Sequence, residues 1–266
     1  RFKNFHVENN SDITLYLHPN DHPYDSDLVQ LDDSKRVVKF YSYPHNTNMY
    51  YPNLVNAAFY LIKKSALNNV EIIKNVSDLA KDLFPDLIKK VKIMGYNCSE
   101  YIKDCGTPER LDKCEFDLKN EIVKYSSLKY YQKAVFLDRD GTINYERGFI
   151  SNPAQIKLFD NVGKSIYKLK EKGFLVIIIT NQPVLARGDC SEDDLNQIHW
   201  KIEKLLSNDK TYIDKIYFCP HHPDSGFRGE VKKLKIICDC RKPKTGLIDR
   251  SISDYNIDVK NSWFIG

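Results

Sequence analysis

The sequence lacks any long apolar stretch, and this absence limits the classes of protein that it can encode. No apolar run among its 266 residues exceeds six, as in FLVIII at 174–179. A helix that crosses a membrane needs about 20 consecutive apolar residues, so we predict no membrane span and no membrane partner. The sequence also has no internal repeat and no low-complexity tract. It is long enough for two modest domains or one large one.

A large excess of charge of one sign is also absent. Lysine and arginine number 40 against 36 aspartate and glutamate residues, which gives a net charge of +4 and a pI of about 8.5. The basic residues are interleaved with acidic ones and form no run. This pattern is typical of a solvated surface of mixed charge, and it disfavours nucleic acid as a partner.

The cysteines do not form the even set that a disulfide framework requires. There are seven, and three of them fall within residues 218–244 together with two histidines. An odd count with this clustering predicts metal ligation in a reducing compartment, so we expect a cytoplasmic protein. The remaining four are expected to be ordinary core or surface cysteines: Cys98, Cys105, Cys114 and Cys190.

The second half of the chain alternates between strand and helix patterns. AVFLD (134–138) and FLVIIIT (174–180) are nearly all apolar, as buried parallel strands are, and IYFC and SWFIG predict two more strands. A helix is predicted over 160–173, and another over 191–206 that begins at Ser191. The apolar stripe of the latter is expected at Leu195, Ile198, Ile202 and Leu205. This alternation predicts an α/β fold with a doubly wound, Rossmann-like parallel sheet and a site at the carboxyl ends of its strands.

The first half is less regular. ITLYLH, VVKF and NLVNAAFYLI predict strands, LDDSK predicts a turn, and VSDLAKDLFPDLIKKV (76–91) predicts a helix with a proline interruption. A polar, helix-like stretch then separates the two patterns. We therefore predict a first domain with a linker helix over 1–128 and a second domain over 129–266. Both ends are expected to be cut from a longer polypeptide.

Two carboxylates follow the first strand of the second half. Asp138 ends AVFLD, and Asp140 lies two residues further on, before Gly141. Carboxylates this close can share Mg²⁺, one can attack phosphorus as a nucleophile, and the other can act as general acid and base. The alternative is a turn that favours aspartate and glycine for their conformation alone. The polar pairs Thr180-Asn181 and Arg241-Lys242, which follow later in the chain, favour the functional interpretation.

These motifs resemble the haloacid dehalogenase superfamily of phosphatases over roughly residues 132–266. FLDRDGTIN resembles the first motif and ITNQ the second, which implies that Thr180 binds phosphate, and the resemblance makes Lys242 the lysine that neutralises the nucleophile. NQPVLARG and CPHH…CDCRKP are similar to the D,D-heptose 1,7-bisphosphate phosphatase and histidinol-phosphate phosphatase subfamily. Pro183-Val184-Leu185 stands where that family has Ser-Gly-Ile, and its last metal aspartate would follow Gly266. Further candidates for substrate contact are Asn181, Gln182, Arg187 and Arg241.

Two short pairs of ligand-type residues lie beyond the third strand. Cys219 and His221 form a C-x-H pair, and Cys238 and Cys240 form a C-x-C pair. Two such pairs separated by a loop predict a closed, tetrahedral Zn²⁺ site with a structural role. The Zn²⁺ site would fix the position of Lys242, which follows it in the sequence. The alternatives are buried cysteines without metal, or His222 in place of its neighbour as the ligand.

LYLHPNDHPYDSDLV, NLVNAAFYLI and EYIKDCGTPERL resemble the later part of sugar-phosphate nucleotidyltransferases, over roughly residues 1–120. The resemblance implies that Asp104 binds Mg²⁺ and that Asn56 contacts the sugar. The alternative for Asp104 is an acid that stabilises a helix N-terminus. The glycine-rich loop of such transferases is missing, and Ser42-Tyr43-Pro44 stands where many relatives have Glu-Lys-Pro.

Together the resemblances imply a bifunctional enzyme that acts on small sugar phosphates. The phosphatase would remove the C7 phosphate of D-glycero-D-manno-heptose 1,7-bisphosphate with Mg²⁺. The transferase would then activate heptose 1-phosphate with a nucleoside triphosphate, GTP being the expected one, in the synthesis of a lipopolysaccharide, capsule or S-layer precursor. The alternatives are a histidinol-phosphate phosphatase and a non-catalytic, zinc-stabilised binding domain.

Overall fold

The computed structural model describes residues 1–69 and 78–266, and the chain folds into two compact units, Arg1–Cys98 and Ser99–Gly266. The helix-like stretch that the sequence places at the end of the first domain belongs to the second unit. Among the described residues, no helix combines the length and the apolar character that a membrane crossing requires.

The first unit is built on a mixed five-stranded sheet. Its strands are β1 (Ile13–His18), β2 (Leu28–Leu31), β3 (Val37–Tyr41), β4 (Val55–Ile62) and β5 (Ile93–Asn97), and its α-helices are α1 (Phe2–Glu8) and α2 (Phe84–Leu87). The strand order is β3-β2-β4-β1-β5, with β1 antiparallel to β4 and parallel to β5. The strands predicted from ITLYLH, VVKF and NLVNAAFYLI are confirmed, whereas β2 and β5 were not predicted.

The predicted helix over 76–91 is shorter and less regular than expected. Residues 76 and 77 lie outside the described residues. A π-helical turn spans Leu79–Leu83, capped by the Asp78 side chain, and α2 follows with Pro85 in its first turn. Proline lacks an N–H and is tolerated only at the start of a helix, so the α-helix begins there and not upstream.

The second unit carries four strands and six α-helices among its described residues. The strands are β6 (Ala134–Leu137), β7 (Leu175–Asn181), β8 (Lys215–Cys219) and β9 (Trp263–Ile265). The helices are α3 (Pro108–Lys119), α4 (Ile122–Tyr125), α5 (Val162–Glu171), α6 (Val184–Arg187), α7 (Glu192–Ser207) and α8 (Gly246–Tyr255).

The four strands form one parallel sheet in the order β8-β7-β6-β9. The chain leaves β6 toward β7 and β8, then returns through α8 to place β9 on the other side of β6. This is the predicted doubly wound arrangement. Such a sheet has a crevice at the carboxyl ends of its strands, where the connections diverge. The residues that follow β6 and β7 therefore come together at one edge.

The core of this unit forms on the central strands. Val176, Ile177 and Ile178 of β7 are fully buried, as a strand covered on both faces requires. Helix α7 packs on the sheet and begins at a capping box, in which the Ser191 hydroxyl accepts from the Asp194 N–H and the Asp194 carboxylate accepts from the Ser191 N–H. Leu195, Ile198 and Ile202 are buried as predicted, but the stripe continues at Leu206, because Leu205 is only half-buried.

Candidate active site

Asp138 and Lys242 form an ion pair at the carboxyl end of β6. Asp138 directly follows the strand, and its N–H donates to the Ile265 carbonyl of β9 at 2.9 Å. Its Oδ2 lies 2.6 Å from Lys242 Nζ, and its Oδ1 accepts from the Arg139 N–H at 2.7 Å. The Asp138 side chain keeps 30% of its surface exposed. A carboxylate that is both charge-paired and open on one side can meet an incoming phosphate.

Asp140 is held differently, because both of its oxygens accept two hydrogen bonds. Oδ1 accepts from Arg139 Nε at 3.0 Å and Asn144 Nδ2 at 2.9 Å. Oδ2 accepts from Arg139 Nη2 at 2.8 Å and Gln182 Nε2 at 3.0 Å. A carboxylate has about four lone-pair positions, so direct ligation of Mg²⁺ by this side chain would require one of the four donors to leave. Asp138 keeps an open side and fits a divalent cation better.

Thr180 and Gln182 stand at the end of β7, beside these carboxylates. Thr180 is 1% exposed, and its hydroxyl accepts from Gln182 Nε2 at 2.8 Å. Gln182 is itself buried, and its N–H donates to the Cys219 carbonyl of β8 at 2.8 Å. Because the Thr180 oxygen already accepts a hydrogen bond, its own proton is available to donate. This arrangement suits a phosphate oxygen in the crevice.

Asn181 does not extend its amide into open space but clamps the backbone of Lys242. Its Oδ1 accepts from the Lys242 N–H at 3.0 Å, and its Nδ2 donates to the Lys242 carbonyl at 3.2 Å. The side chain at the end of β7 therefore fixes the position from which the lysine reaches Asp138.

A cavity of about 340 Å³ opens at this edge of the sheet. Seven of the sequence-predicted site residues line it, together with six others from the neighbouring loops. The predicted ones are Asp138, Asp140, Thr180, Asn181, Gln182, Arg241 and Lys242, and the others are Glu146, Gly148, Phe149, Ile150, Pro183 and Val184. The cavity therefore combines carboxylates with two cations and a buried hydroxyl.

Arg187 was predicted as an anion ligand, but it is not among the described residues that line this cavity. Its Nε donates to Asp189 Oδ2 at 2.7 Å, and its guanidinium stacks between the rings of Phe149 and Phe227 at 4.0 and 4.1 Å. Phe149 does line the cavity, so Arg187 supports the cavity wall through that ring. Phosphate binding by Arg187 stays a prediction.

The two residues predicted for the transferase half lie in separate units. In the first unit, Asn56 Nδ2 donates to the Tyr60 hydroxyl at 3.0 Å. In the second, the exposed Asp104 carboxylate pairs with Arg110 and accepts from the Gly106 N–H at 2.8 Å. The latter contacts are those of a local turn before α3, and both ligand roles stay predictions.

The four predicted zinc ligands come together within 4.8 Å of one another. Cys219 ends β8, His221 follows it, and Cys238 and Cys240 lie before α8. The Sγ atoms are 3.1 to 3.6 Å apart, and His221 Nδ1 lies 3.2 Å from Cys240 Sγ. A tetrahedral Zn²⁺ with Zn–S bonds of about 2.3 Å requires S···S separations of about 3.8 Å, so the cluster fits this ion after a small expansion.

Electrostatics in the cluster agree with thiolate ligation coupled to proton release. Burial, followed by the neighbouring thiols of Cys219 and Cys238, raises the pKa of Cys240. A cation that binds the Cys240 sulfur would therefore displace its proton. Arg241 Nη1 donates to the His221 carbonyl at 3.3 Å, so the cluster is joined directly to the segment that carries Lys242.

Sequence reasoning missed several contributors to the site. Arg139 is fully buried and holds Asp140, and His199 lies behind it with Nε2 3.3 Å from Arg139 Nη1. Glu146 and Phe149 also line the cavity. The signal for Arg139 was present, because a cation between two aspartates after a buried strand has two charge partners close at hand.

Comparison with known proteins places this site in a family. Residues 114–266, more than half of the chain, match the family described as "Polynucleotide kinase 3 phosphatase". The chain belongs to this family. The predicted resemblance of the second half to haloacid dehalogenase-type phosphatases is thereby confirmed. Residues 1–113 lie outside the family match, and their resemblance to nucleotidyltransferases stays a prediction.

Relatives with curated names match over about half of the chain. D-glycero-beta-D-manno-heptose-1,7-bisphosphate 7-phosphatase of Haemophilus ducreyi is 40% identical over 136 residues, which are 51% of this chain and 72% of that protein. The protein of the same name from Escherichia coli K12 is 37% identical over 134 residues, 50% of this chain and 68% of its own length.

A solved structure was also found. It is the D,D-heptose 1,7-bisphosphate phosphatase from B. bronchiseptica, complexed with magnesium and phosphate, at 32% identity and a TM-score of 0.42. The match covers 48% of this chain, and the chain spans 66% of that structure's length.

Proposed function

We propose that this protein is a phosphatase that hydrolyses the C7 phosphate of D-glycero-D-manno-heptose 1,7-bisphosphate through an aspartyl-phosphate intermediate. The observation that carries the proposal is the Asp138 carboxylate, which lines the cavity 2.6 Å from Lys242. The substrate is inferred from the names of the curated relatives, which match the half of the chain that contains this pair.

In the first half of the reaction, an Asp138 oxygen attacks phosphorus and the bond from phosphorus to the sugar oxygen breaks. The carboxyl group of Asp140, which carries its proton in place of one of its four hydrogen-bond donors, gives that proton to the departing oxygen. In the second half, the Asp140 carboxylate takes a proton from a water molecule, whose oxygen attacks the same phosphorus. The bond to Asp138 then breaks and inorganic phosphate leaves.

Three groups are placed to hold the phosphoryl group during these steps. The Thr180 hydroxyl can donate to one phosphoryl oxygen, since Gln182 occupies its acceptor position. Lys242 can neutralise both the Asp138 carboxylate and the charge on phosphorus oxygens. Arg241 adds a second cation at the cavity wall. Asn181 and Gln182 contribute mainly by fixing these groups.

Mg²⁺ fits the carboxylate edge of the cavity, with Asp138 the residue that would hold it. When bound, such an ion screens the charge of the phosphoryl oxygens and of the carboxylate, which lets the two approach. Lys242 and the Thr180 hydroxyl would contact the same phosphoryl oxygens.

The test is phosphate release by the full-length protein with Mg²⁺. The panel contains both anomers of heptose 1,7-bisphosphate, histidinol phosphate, and an oligonucleotide with a 3′ phosphate, which the family description brings into consideration. We expect kcat/KM to be highest for a heptose bisphosphate. A preference for histidinol phosphate or the oligonucleotide would replace the proposed substrate, and no release from any of them would favour a zinc-stabilised binding domain.

We further propose that residues 1–128 are part of a transferase that activates heptose 1-phosphate with GTP. The support is chemical continuity, because the product of the phosphatase is the substrate of such a transferase. The test is formation of a nucleotide sugar by the full-length protein from heptose 1-phosphate, with GTP and ATP compared. Absence of a nucleotide sugar with both nucleotides would contradict a transferase role for residues 1–128.

A further inference from the structure

Arg139 is a charged residue placed where charges are rarely found. It lies between the two aspartates of the site, and none of its surface is exposed. A buried guanidinium destabilises the fold unless its donors are paired. The pairs that Arg139 makes therefore indicate what the residue does.

The guanidinium grips the carboxylate of Asp140 with a two-pronged contact. Nε donates to Oδ1 at 3.0 Å and Nη2 donates to Oδ2 at 2.8 Å. A planar fork of this kind fixes the orientation of a carboxylate as well as its position. Asn144 and Gln182 add one donor on each oxygen, so rotation of the Asp140 carboxyl group is opposed on both sides.

His199 holds the far side of the same guanidinium. Its Nε2 lies 3.3 Å from Arg139 Nη1, and its ring is almost completely buried beside Phe218. Burial, and then the charge of Arg139, hold the pKa of His199 well below its usual range. The imidazole is therefore neutral at neutral pH, and Nε2 can accept the hydrogen bond.

We propose that Arg139 is a positioning residue that aims the Asp140 carboxyl group at the oxygen of the leaving group, and that His199 orients Arg139. The proposal rests on the function proposed above, in which Asp140 protonates that oxygen. Effective proton transfer needs the acid within hydrogen-bond reach of its target. The contacts from Asp140 to Arg139 and from Arg139 to His199 join the loop after β6 to helix α7. The orientation of the Asp140 carboxyl group is therefore fixed by the core of the unit.

The leaving group separates this role from simple structural support. A sugar alkoxide is a poor leaving group and needs a proton, whereas p-nitrophenolate leaves without one. Asp140 also activates the water that attacks the phosphorylated Asp138, a step common to both substrates, so the comparison uses kcat/KM, which reports only the steps up to departure of the leaving group. A misaimed acid should therefore lower kcat/KM for the sugar phosphate far more than for p-nitrophenyl phosphate. A damaged fold should slow both substrates alike.

The variant that tests this is Arg139→Lys, which keeps the positive charge and removes the fork. We expect kcat/KM for the sugar bisphosphate hydrolysed by the wild type to fall about 100-fold, since general acid catalysis contributes about 10² to 10⁴. The kcat/KM for p-nitrophenyl phosphate should fall less than about fivefold, a loss too small to reflect proton transfer to the leaving group. Arg250→Lys, on the exposed face of α8, is the matched control and should alter neither.

A second variant covers the case in which Arg139→Lys does not fold. His199→Gln keeps a hydrogen-bond acceptor for Arg139 but places it at a different distance. We expect the same selective loss of activity on the sugar bisphosphate, smaller than that of Arg139→Lys. Equal losses on the two substrates in the folded variants would overturn the proposal.

Asp140→Asn distinguishes the failure of this inference from the failure of the proposed function. If Asp140→Asn spares the sugar phosphate, Asp140 is not the acid and the proposed mechanism is wrong. If Asp140→Asn shows the selective loss while Arg139→Lys and His199→Gln do not, only the positioning role is wrong.

Discussion

Asn181 grips the peptide backbone of Lys242 from both sides, with Oδ1 3.0 Å from its nitrogen and Nδ2 3.2 Å from its oxygen. The side chain of the same lysine reaches Asp138 at 2.6 Å. The last residue of β7 therefore places the cation beside the residue that follows β6. Asn181, the polar residue that ends β7, thus acts by positioning Lys242 and not by binding a ligand directly.

Asn181→Ala should lower kcat by about 10- to 100-fold with a small change in KM, because a displacement of about 1 Å in a catalytic group can cost about 100-fold. Asn181→Asp keeps the acceptor for the Lys242 N–H and loses the donor to its carbonyl, so its loss should be intermediate. Steady-state kinetics on the sugar bisphosphate measure both. A raised KM at unchanged kcat would show instead that Asn181 contacts the substrate.

The cysteine and histidine cluster should bind one zinc ion per chain. Cys238→Ser removes one of the four ligands, so we expect loss of the metal, a lower melting temperature and reduced activity, since Arg241 and Lys242 follow the cluster directly. Metal analysis and thermal unfolding measure these effects.

Cys190→Ser is the matched control for the cluster. Burial and the nearby Asp194 raise the pKa of Cys190 to about 11, so this thiol is unreactive at neutral pH and its replacement should leave the zinc content unchanged. Zinc well below one per chain, with an intact wild-type fold, would contradict the assignment of the cluster.

His199 should make stability fall on the acid side of neutrality. The unfolded chain protonates this residue near pH 6.5, whereas burial and Arg139 hold its folded pKa well below that value. Below about pH 6.5 the unfolded state therefore binds more protons, and the free energy of unfolding decreases by up to about 1.4 kcal/mol per pH unit until the folded pKa is reached.

Urea unfolding measured at pH values from about 7.5 to 5 tests this dependence. His199→Gln cannot protonate, so its stability should fall less steeply below pH 6.5 than that of the wild type. Parallel pH profiles for the two proteins would show that folding does not lower the pKa of His199.

The ion pair between Lys170 and the buried Asp214 should be among the most sensitive contacts of the second unit. Lys170 Nζ lies 2.7 and 2.6 Å from the two oxygens of Asp214, which also accepts from the Val176 N–H at 2.7 Å. Asp214→Ala leaves a backbone N–H and an ammonium group whose side chain is only 17% exposed without this partner, so the free energy of unfolding should fall by about 3 kcal/mol.

An exposed pair provides the comparison. Lys119 and Glu115 form an ion pair on α3 with side chains 71% and 59% exposed. Glu115→Ala should change stability by less than about 1 kcal/mol. Urea unfolding of both variants measures the difference, and equal effects would contradict the structural weight given to Lys170 and Asp214.

The sequence predicts those parts of the site that depend on local patterns. The apolar strand before Asp138, the strand that ends in Thr180 and the capped start at Ser191 are each encoded within about ten residues. The parallel sheet then brings their carboxyl ends together, so lining residues of the cavity could be named in advance. The cluster of Cys219, His221, Cys238 and Cys240 was predictable for the same reason, as two short pairs next to a strand end.

What the sequence could not predict depends on contacts between distant segments. The burial of Arg139 is decided by His199, 60 residues further along the chain, and an arginine in a polar loop otherwise predicts exposure. Asn181 was a candidate for substrate contact because nothing local shows that the backbone of Lys242 would occupy its amide. The shift of the α7 stripe to Leu206 also reflects packing, since both leucines suit a helical period.

Trapping of the phosphoryl group on Asp138 tests the central claim most directly. The full-length protein would be mixed with excess heptose 1,7-bisphosphate and Mg²⁺, quenched with acid within one turnover, digested and analysed by mass spectrometry. The account predicts one phosphoryl group on the peptide that contains Asp138, lost on treatment with hydroxylamine and absent from Asp138→Asn. A phosphoryl group trapped on a different residue, or an Asp138→Asn variant with undiminished activity, would contradict it.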